Sequence, residues 1–123
     1  MFGRVNQQRE AILNLVIIGN RNQKIAVDAV VDTGFNGDLI LPIEMVLELE
    51  LIPQGYQKAT LGDGTISQFR VYSGTVIWDG SRKLVEVNAA TSGVLIGMGL
   101  LEGYKLEVNT VPNGIVTVTS LEL

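Results

Sequence analysis

The chain has 123 residues and contains neither cysteine nor histidine. The first absence excludes a disulfide framework and thiol nucleophiles. The second removes Ser-His-Asp and Cys-His catalysis together with the usual zinc sites. Positive charge is sparse: nine Lys+Arg stand against thirteen Asp+Glu, for a formal net charge of −4, and no basic run occurs. Such a balance offers little to phosphate, so nucleic acid is not an expected partner. Long hydrophobic runs are also missing. The longest early one, Leu15 to Ile18, is far below the roughly 20 residues that a membrane-crossing helix needs, so no membrane partner is expected. The opening MFGRVNQQREA lacks the basic-then-apolar pattern of a signal segment, which makes a soluble cytoplasmic protein the expectation.

What remains is a chain that is 46% apolar, enough for a real core without staples, at a length that fits one domain over residues 1–123. Its pattern is mostly strands with turn punctuation. Ala11 to Ile18 is apolar and β-branched, and Gly19-Asn20-Arg21-Asn22 reads as a hairpin loop. From Ile25 to Val31 one face carries Ile25, Val27, Ala29 and Val31, and the other carries Ala26, Asp28, Val30 and then Asp32. Leu39-Ile40-Leu41 is a short strand. Pro42 suits the first position of a helix whose apolar side is Ile43, Val46, Leu47 and Leu51, with Pro53 as its stop. Asp63-Gly64 marks a hairpin tip between extended arms within Gln57 to Val71, and Asp79-Gly80 marks another between Tyr72–Trp78 and Leu84–Ala89. Val94 to Gly97 is a buried run. Met98 to Leu101 can make one helical turn closed by Gly103, and Pro112-Asn113-Gly114 joins a last hairpin. The expectation is a small all-β, barrel-like domain with one short helix.

Residues 30–42, VVDTGFNGDLILP, place a carboxylate between two pieces of hydrophobic core. Aspartate, asparagine and glycine are turn residues, and the segment also reads as a loop whose aspartate caps a backbone N–H. The setting points further. An apolar strand delivers Asp32 into an apolar neighbourhood, and burial of a carboxyl disfavours its charged form.

At this point the sequence resembles the retropepsin-like aspartic proteases, bacterial single-domain type. Four features carry the resemblance: Val30-Val31-Asp32-Thr33-Gly34, the following Leu39-Ile40-Leu41-Pro42, the glycine-tipped hairpin at Leu61 to Thr65, and Val94-Leu95-Ile96-Gly97 followed by Met98-Gly99-Leu100-Leu101. It implies an acid-protease barrel with one lobe per chain. It also implies an endopeptidase that hydrolyses peptide bonds without a cofactor or metal. Two carboxyls about 3 Å apart share one proton and titrate as a pair. This chain has a single Asp-Thr-Gly, so the resemblance implies a homodimer in which two copies of Asp32 meet on a two-fold axis. Asp32 is then the water-activating residue. Thr33 locks the two loops across the axis, and Gly34 admits the substrate backbone. Phe35, Asn36 and the hairpin-tip residues Leu61, Gly62, Asp63 and Gly64 contact an extended peptide, and Gly97 supports the Asp-Thr-Gly loop from behind.

The sequence departs from the family at several places. Phe35 stands where much of the family has Ala or Ser, and its bulk is expected to narrow the cleft. Asn36 and Met98 stand where retroviral members often carry an Asp–Arg ion pair, so the dimer must be held otherwise. The hairpin from Tyr104 to Thr119 serves either as that interface or as an ordinary sheet edge. Asp28 lies about 13 Å along the strand from Asp32, too far to be a second catalytic carboxyl, and is expected to be a solvated charge. Asp38 and Asp63 fit turn chemistry better than calcium binding. A non-catalytic peptide-binding or dimerisation module of the same fold is the alternative to the enzyme, and a small-ligand barrel with Asp32 as a lone polar anchor is a third reading.

Overall fold

A computed structural model describes residues 1–60 and 64–122. The described residues form strands β1 (Phe2–Val5), β2 (Ala11–Ile18), β3 (Lys24–Val31) and β4 (Leu39–Pro42), then helix α1 (Ile43–Glu48). Next come β5 (Ile52–Thr60), β6 (Ile66–Trp78), β7 (Ser81–Ala90) and β8 (Leu95–Ile96), then helix α2 (Met98–Leu101), β9 (Tyr104–Val108) and β10 (Ile115–Ser120). The strands hydrogen-bond in the order β5-β6-β7-β4-β8-β3-β2-β1-β10-β9, and an added β6–β2 pairing closes six of them into a barrel. This is the all-β barrel that the patterning led us to expect.

The alternation of side chains explains the closure. Leu13, Leu15 and Ile17 of β2 point inward with Ala29 of β3, Leu39 and Leu41 of β4, and Val85 and Val87 of β7, all nearly fully buried. Across the barrel wall, Val31, Ile96, Leu39, Val87 and Tyr72 are successive register partners, so one inward row runs through five strands. The two-residue turn Asp79-Gly80 joins β6 to β7 with φ of +52° and +82°, the left-handed pair that a tight hairpin demands. Among the described residues no helix is long and apolar enough to cross a membrane.

Several local expectations shift. Pro42 is not the first helical residue; it ends β4 in extended conformation (φ −57°, ψ 142°) and caps α1. The helix stops at Glu48, well before Pro53, because Glu50 turns left-handed at φ +53°. Leu49 and Leu51 are thereby swung into the core, and Leu47, expected on the apolar side, is 65% exposed. Met98–Leu101 does form a helical turn, making two short helices, and Gly103 follows it at φ +85°. Tyr72–Trp78 is no separate strand but the continuation of the 13-residue β6. The first strand, β1, had no expectation attached to it. It lies between β2 and β10, and Asn6 ends it by accepting from the backbone N–H groups of Gln8 and Glu10. β5 and β9 are the two edges of the sheet.

Candidate active site

β3 carries Asp32 to the end of the barrel wall, and the chain then leaves the sheet until Leu39 begins β4. A second segment, 94–99, grips this loop from behind. The N–H of Val30 donates to Val94 O (2.9 Å) and that of Asp32 to Ile96 O (2.8 Å). Beyond the sheet the gripping continues: Gly97 N–H to Asp38 O (3.0 Å), Met98 N–H to Phe35 O (2.7 Å) and Gly99 N–H to Gly37 O (3.0 Å). The loop is thus held by backbone bonds at Asp32, Phe35, Gly37 and Asp38, and its course from Asp32 to Leu39 is fixed by them.

Approach this close requires glycine on the gripping segment. A Cβ built on Gly97 would sit 2.2 Å from Gly37 O, 2.4 Å from Phe35 Cδ2 and 2.7 Å from Phe35 O. One on Gly99 would meet Asp38 Oδ1 at 2.5 Å. Gly97 thus stands directly behind the loop. Phe35 sits otherwise than its bulk suggested. Its half-buried ring lies over the bare Cα atoms of Gly37 and Gly97, with a Gly37 Cβ falling 2.5 Å from Cζ. The ring is folded into the base of the loop.

The Asp32 side chain is half-buried in the single chain, and its Oδ1 accepts the N–H of Gly34 at 2.9 Å. The capping reading of this aspartate is thus met by one oxygen alone, Oδ1, which closes an Asx turn, and it does not conflict with the catalytic reading. A Cβ on Gly34 would come within 3.2 Å of Asp32 Oδ1, so the glycine keeps the carboxylate's flank open. Thr33, Gly34 and Asn36 are exposed on the same loop. A cleft of about 920 Å³ opens beside it. Val30, Val31, Asp32, Thr33 and Leu95 form its floor; its walls are the loop after β1 and the loop between β9 and β10.

Of the hairpin residues expected over the site, Gly64 is exposed with φ +85°, and Leu61, Gly62 and Asp63 lie outside the described residues. The arms are in place: β5 and β6 pair from Ile52↔Ser73 to Thr60↔Ile66, and Arg70 donates to the Tyr56 hydroxyl across them (3.1 Å from Nη2) while its guanidinium carbon lies 5.6 Å from the ring centroid. That hydrogen bond, then one to Tyr72, holds the exposed Arg70 guanidinium above its ordinary pKa. Asp28 is exposed and, among the described residues, accepts one hydrogen bond, from Asn14 Nδ2 at 3.4 Å. Asp38 is a tie rather than a ligand: its Oδ2 accepts the N–H of Glu86 at 2.9 Å and joins the loop to β7. Sequence reading missed this role, although a short carboxylate just before a strand is a common backbone acceptor. Among the described residues no group of three or more acidic side chains could hold a metal ion.

The crystal structure of a retropepsin-like aspartic protease from Rickettsia conorii matches this architecture with a TM-score of 0.60, covering 98% of this chain and 90% of that one at 18% sequence identity. No family model matches the sequence, and the search of curated proteins finds no match. The likeness establishes the fold as retropepsin-like.

Proposed function

We propose that the chain is an aspartic endopeptidase whose site is completed by a second copy of itself. The observation that carries this reading is Asp32: an aspartate at the end of an apolar strand, held by a backbone-pinned loop, facing a cleft. Peptide hydrolysis by carboxyls needs one group ionised and one protonated. The ionised Asp32 takes a proton from water, whose oxygen bonds to the scissile carbonyl carbon. The protonated Asp32 of the other copy gives its proton to the carbonyl oxygen. Collapse of the tetrahedral species breaks the C–N bond, and the amine leaves with a proton returned by the dyad.

In this reading Thr33 bonds across the two-fold axis, Gly34 admits the substrate backbone, and Asn36 borders the bound peptide. Phe35, tucked under the loop, supports it. The hairpin of β5 and β6 closes over the peptide with Leu61 to Gly64 at its tip and excludes water. The exposed loops around the cleft and the edge strand β9 are the surfaces available to the second copy. The test is hydrolysis of unfolded casein between pH 4 and 7, with Asp32→Asn as control, alongside the molecular mass in solution. Cleavage that survives in a clean Asp32→Asn preparation overturns the proposal.

A further inference from the structure

The outward face of β7 changes character along its length. Leu84 and Glu86 are exposed, yet the next residue on that face, Asn88, is 7% exposed. It is the one buried polar residue among those described. The register explains where it lies. Val30, Leu95, Ile40, Asn88 and Val71 are successive partners across β3, β8, β4, β7 and β6, so their side chains share one face. Asp32 follows Val30 by two and belongs to that face as well. The row starts at the cleft floor, where Val30 and Leu95 stand beside Asp32. It ends under the β5–β6 hairpin, whose Gln57 reaches over to Asn88. Val30, Leu95 and Ile40 are half-buried, whereas Val71 is buried like Asn88. The strip is thus open at the aspartate end and roofed at the other.

A carboxamide in this position has two donors and one acceptor oxygen. Among the described residues it makes one hydrogen bond, from Nδ2 to Gln57 Oε1, at 3.5 Å. That is the long limit of such a bond, and a buried polar group in this state favours a ligand able to complete it. We propose that Asn88 is a specificity-determining residue and that the strip is a subsite for a carboxamide side chain, asparagine or glutamine, of an extended peptide. A second primary carboxamide pairs with Asn88 reciprocally, donor to acceptor in both directions. Its methylenes lie against Ile40 and Leu95, which precede Asn88 in the row. An apolar side chain of the same size fills the strip but leaves Asn88 unsatisfied. The inference rests on the reading of the cleft as a peptide groove and goes further in naming what it selects.

The test measures binding, so it does not depend on turnover. Fluorescence anisotropy on the full-length Asp32→Asn protein would follow labelled decapeptides in which one glutamine, or one methionine as its apolar counterpart, is walked through a fixed Ala/Val background. At one position glutamine should bind about 10-fold tighter than methionine. Asn88→Leu in the same background should bring that ratio below about 2-fold while leaving the methionine peptides bound at least as well, an outcome that a merely structural role for Asn88 would not produce. Gln57→Leu, which leaves the barrel alone, should raise the ratio by freeing Nδ2, and it decides the matter if Asn88→Leu fails to fold. No preference at any position, no peptide binding at all, a preference that survives Asn88→Leu, or one lost in Gln57→Leu overturns the proposal. Casein hydrolysis by the unmodified protein reports separately on the endopeptidase: glutamine-selective binding without hydrolysis removes the enzyme and keeps the subsite.

Discussion

Gly97→Ala adds a single methyl group where the chain has left no room for one. The new carbon would stand 2.2 Å from Gly37 O and 2.7 Å from Phe35 O, well inside an ordinary contact, and 2.4 Å from Phe35 Cδ2. Two of those three neighbours are backbone oxygens, so a side-chain rotation cannot relieve the clash. The loop or the gripping segment must move, and either movement strains the Gly97–Asp38, Met98–Phe35 and Gly99–Gly37 hydrogen bonds. Overpacking of a tight core costs about 1–3 kcal/mol. Losing two of the three bonds adds about 2 kcal/mol at roughly 1 kcal/mol each. The expected destabilisation is therefore about 3–5 kcal/mol, a large share of the about 5–15 kcal/mol that holds a typical domain together. At about 2.1 cal/mol/K per residue, 123 residues give an unfolding entropy of roughly 0.26 kcal/mol/K, so the melting temperature should fall by roughly 12–19 °C.

Thermal unfolding followed by far-ultraviolet circular dichroism measures this directly. Gly93→Ala is the matched control, because a Cβ there meets nothing within 4 Å and φ is not left-handed. It should leave the melting temperature within a few degrees or raise it slightly, through the smaller entropy of the unfolded chain. Adding Phe35→Ala to Gly97→Ala should recover little, since the oxygens remain. Equal shifts in the two alanine variants, or full rescue by Phe35→Ala, would refute the idea that backbone proximity makes Gly97 obligatory.

Three further outcomes follow from the same geometry. Asp32→Asn should lower hydrolysis by on the order of 10²–10⁴-fold while leaving the melting temperature nearly unchanged, as read by casein cleavage and calorimetry on one preparation. On the proposed site, to which each of two copies gives one carboxyl, specific activity should fall on serial dilution, and dilution-independent turnover by a species of single-chain mass would contradict it. In α1, Val46→Ala should cost about 2 kcal/mol in urea unfolding and Leu47→Ala under about 0.5 kcal/mol, in keeping with their 1% and 65% exposure.

The parts of the fold that could be read from sequence are those set by local chemistry. β2 follows from an apolar, β-branched run and β3 from strict alternation, and the Asp79-Gly80 and Asn113-Gly114 turns from residues that tolerate a left-handed backbone. The turn at Asp32 and the close packing of Gly97 were legible for the same reason. Non-local pairings were not. The two residues of β8 hold a parallel partner on one side and an antiparallel one on the other, and no stretch that short announces this. β1 escaped because its four residues include a glycine and an arginine, and only docking between β2 and β10 makes them a strand. Leu47 was misplaced because a left-handed Glu50, not Pro53, ends the turn after α1, and a glutamate gives no warning of that conformation. Asn88 looked like any polar residue on the outer face of a strand; its burial depends on a hairpin arm that begins some thirty residues earlier.

The hydrogen bonds that close the barrel around β8 are continuous with those that position the aspartate. Val30 and Asp32 donate into segment 94–96 as sheet partners, and Gly97, Met98 and Gly99 then donate back into the loop that Asp32 begins. Fold and site are one ladder here, so most substitutions near the site damage both, and loss of activity alone assigns no role. Asp32 itself is the exception. Among the described residues its carboxylate accepts one hydrogen bond, from the N–H of Gly34, and an asparagine Oδ1 can accept that bond equally well. Asp32→Asn therefore keeps the turn and removes only the ionisable group, whereas Asp32→Ala removes the acceptor too and should cost about 1 kcal/mol. If both variants are inactive and only the alanine variant is less stable, the carboxylate is needed for chemistry and the oxygen for structure. If the asparagine variant is as destabilised as the alanine variant, the charge itself holds the loop, and the case for a catalytic Asp32 loses its cleanest support.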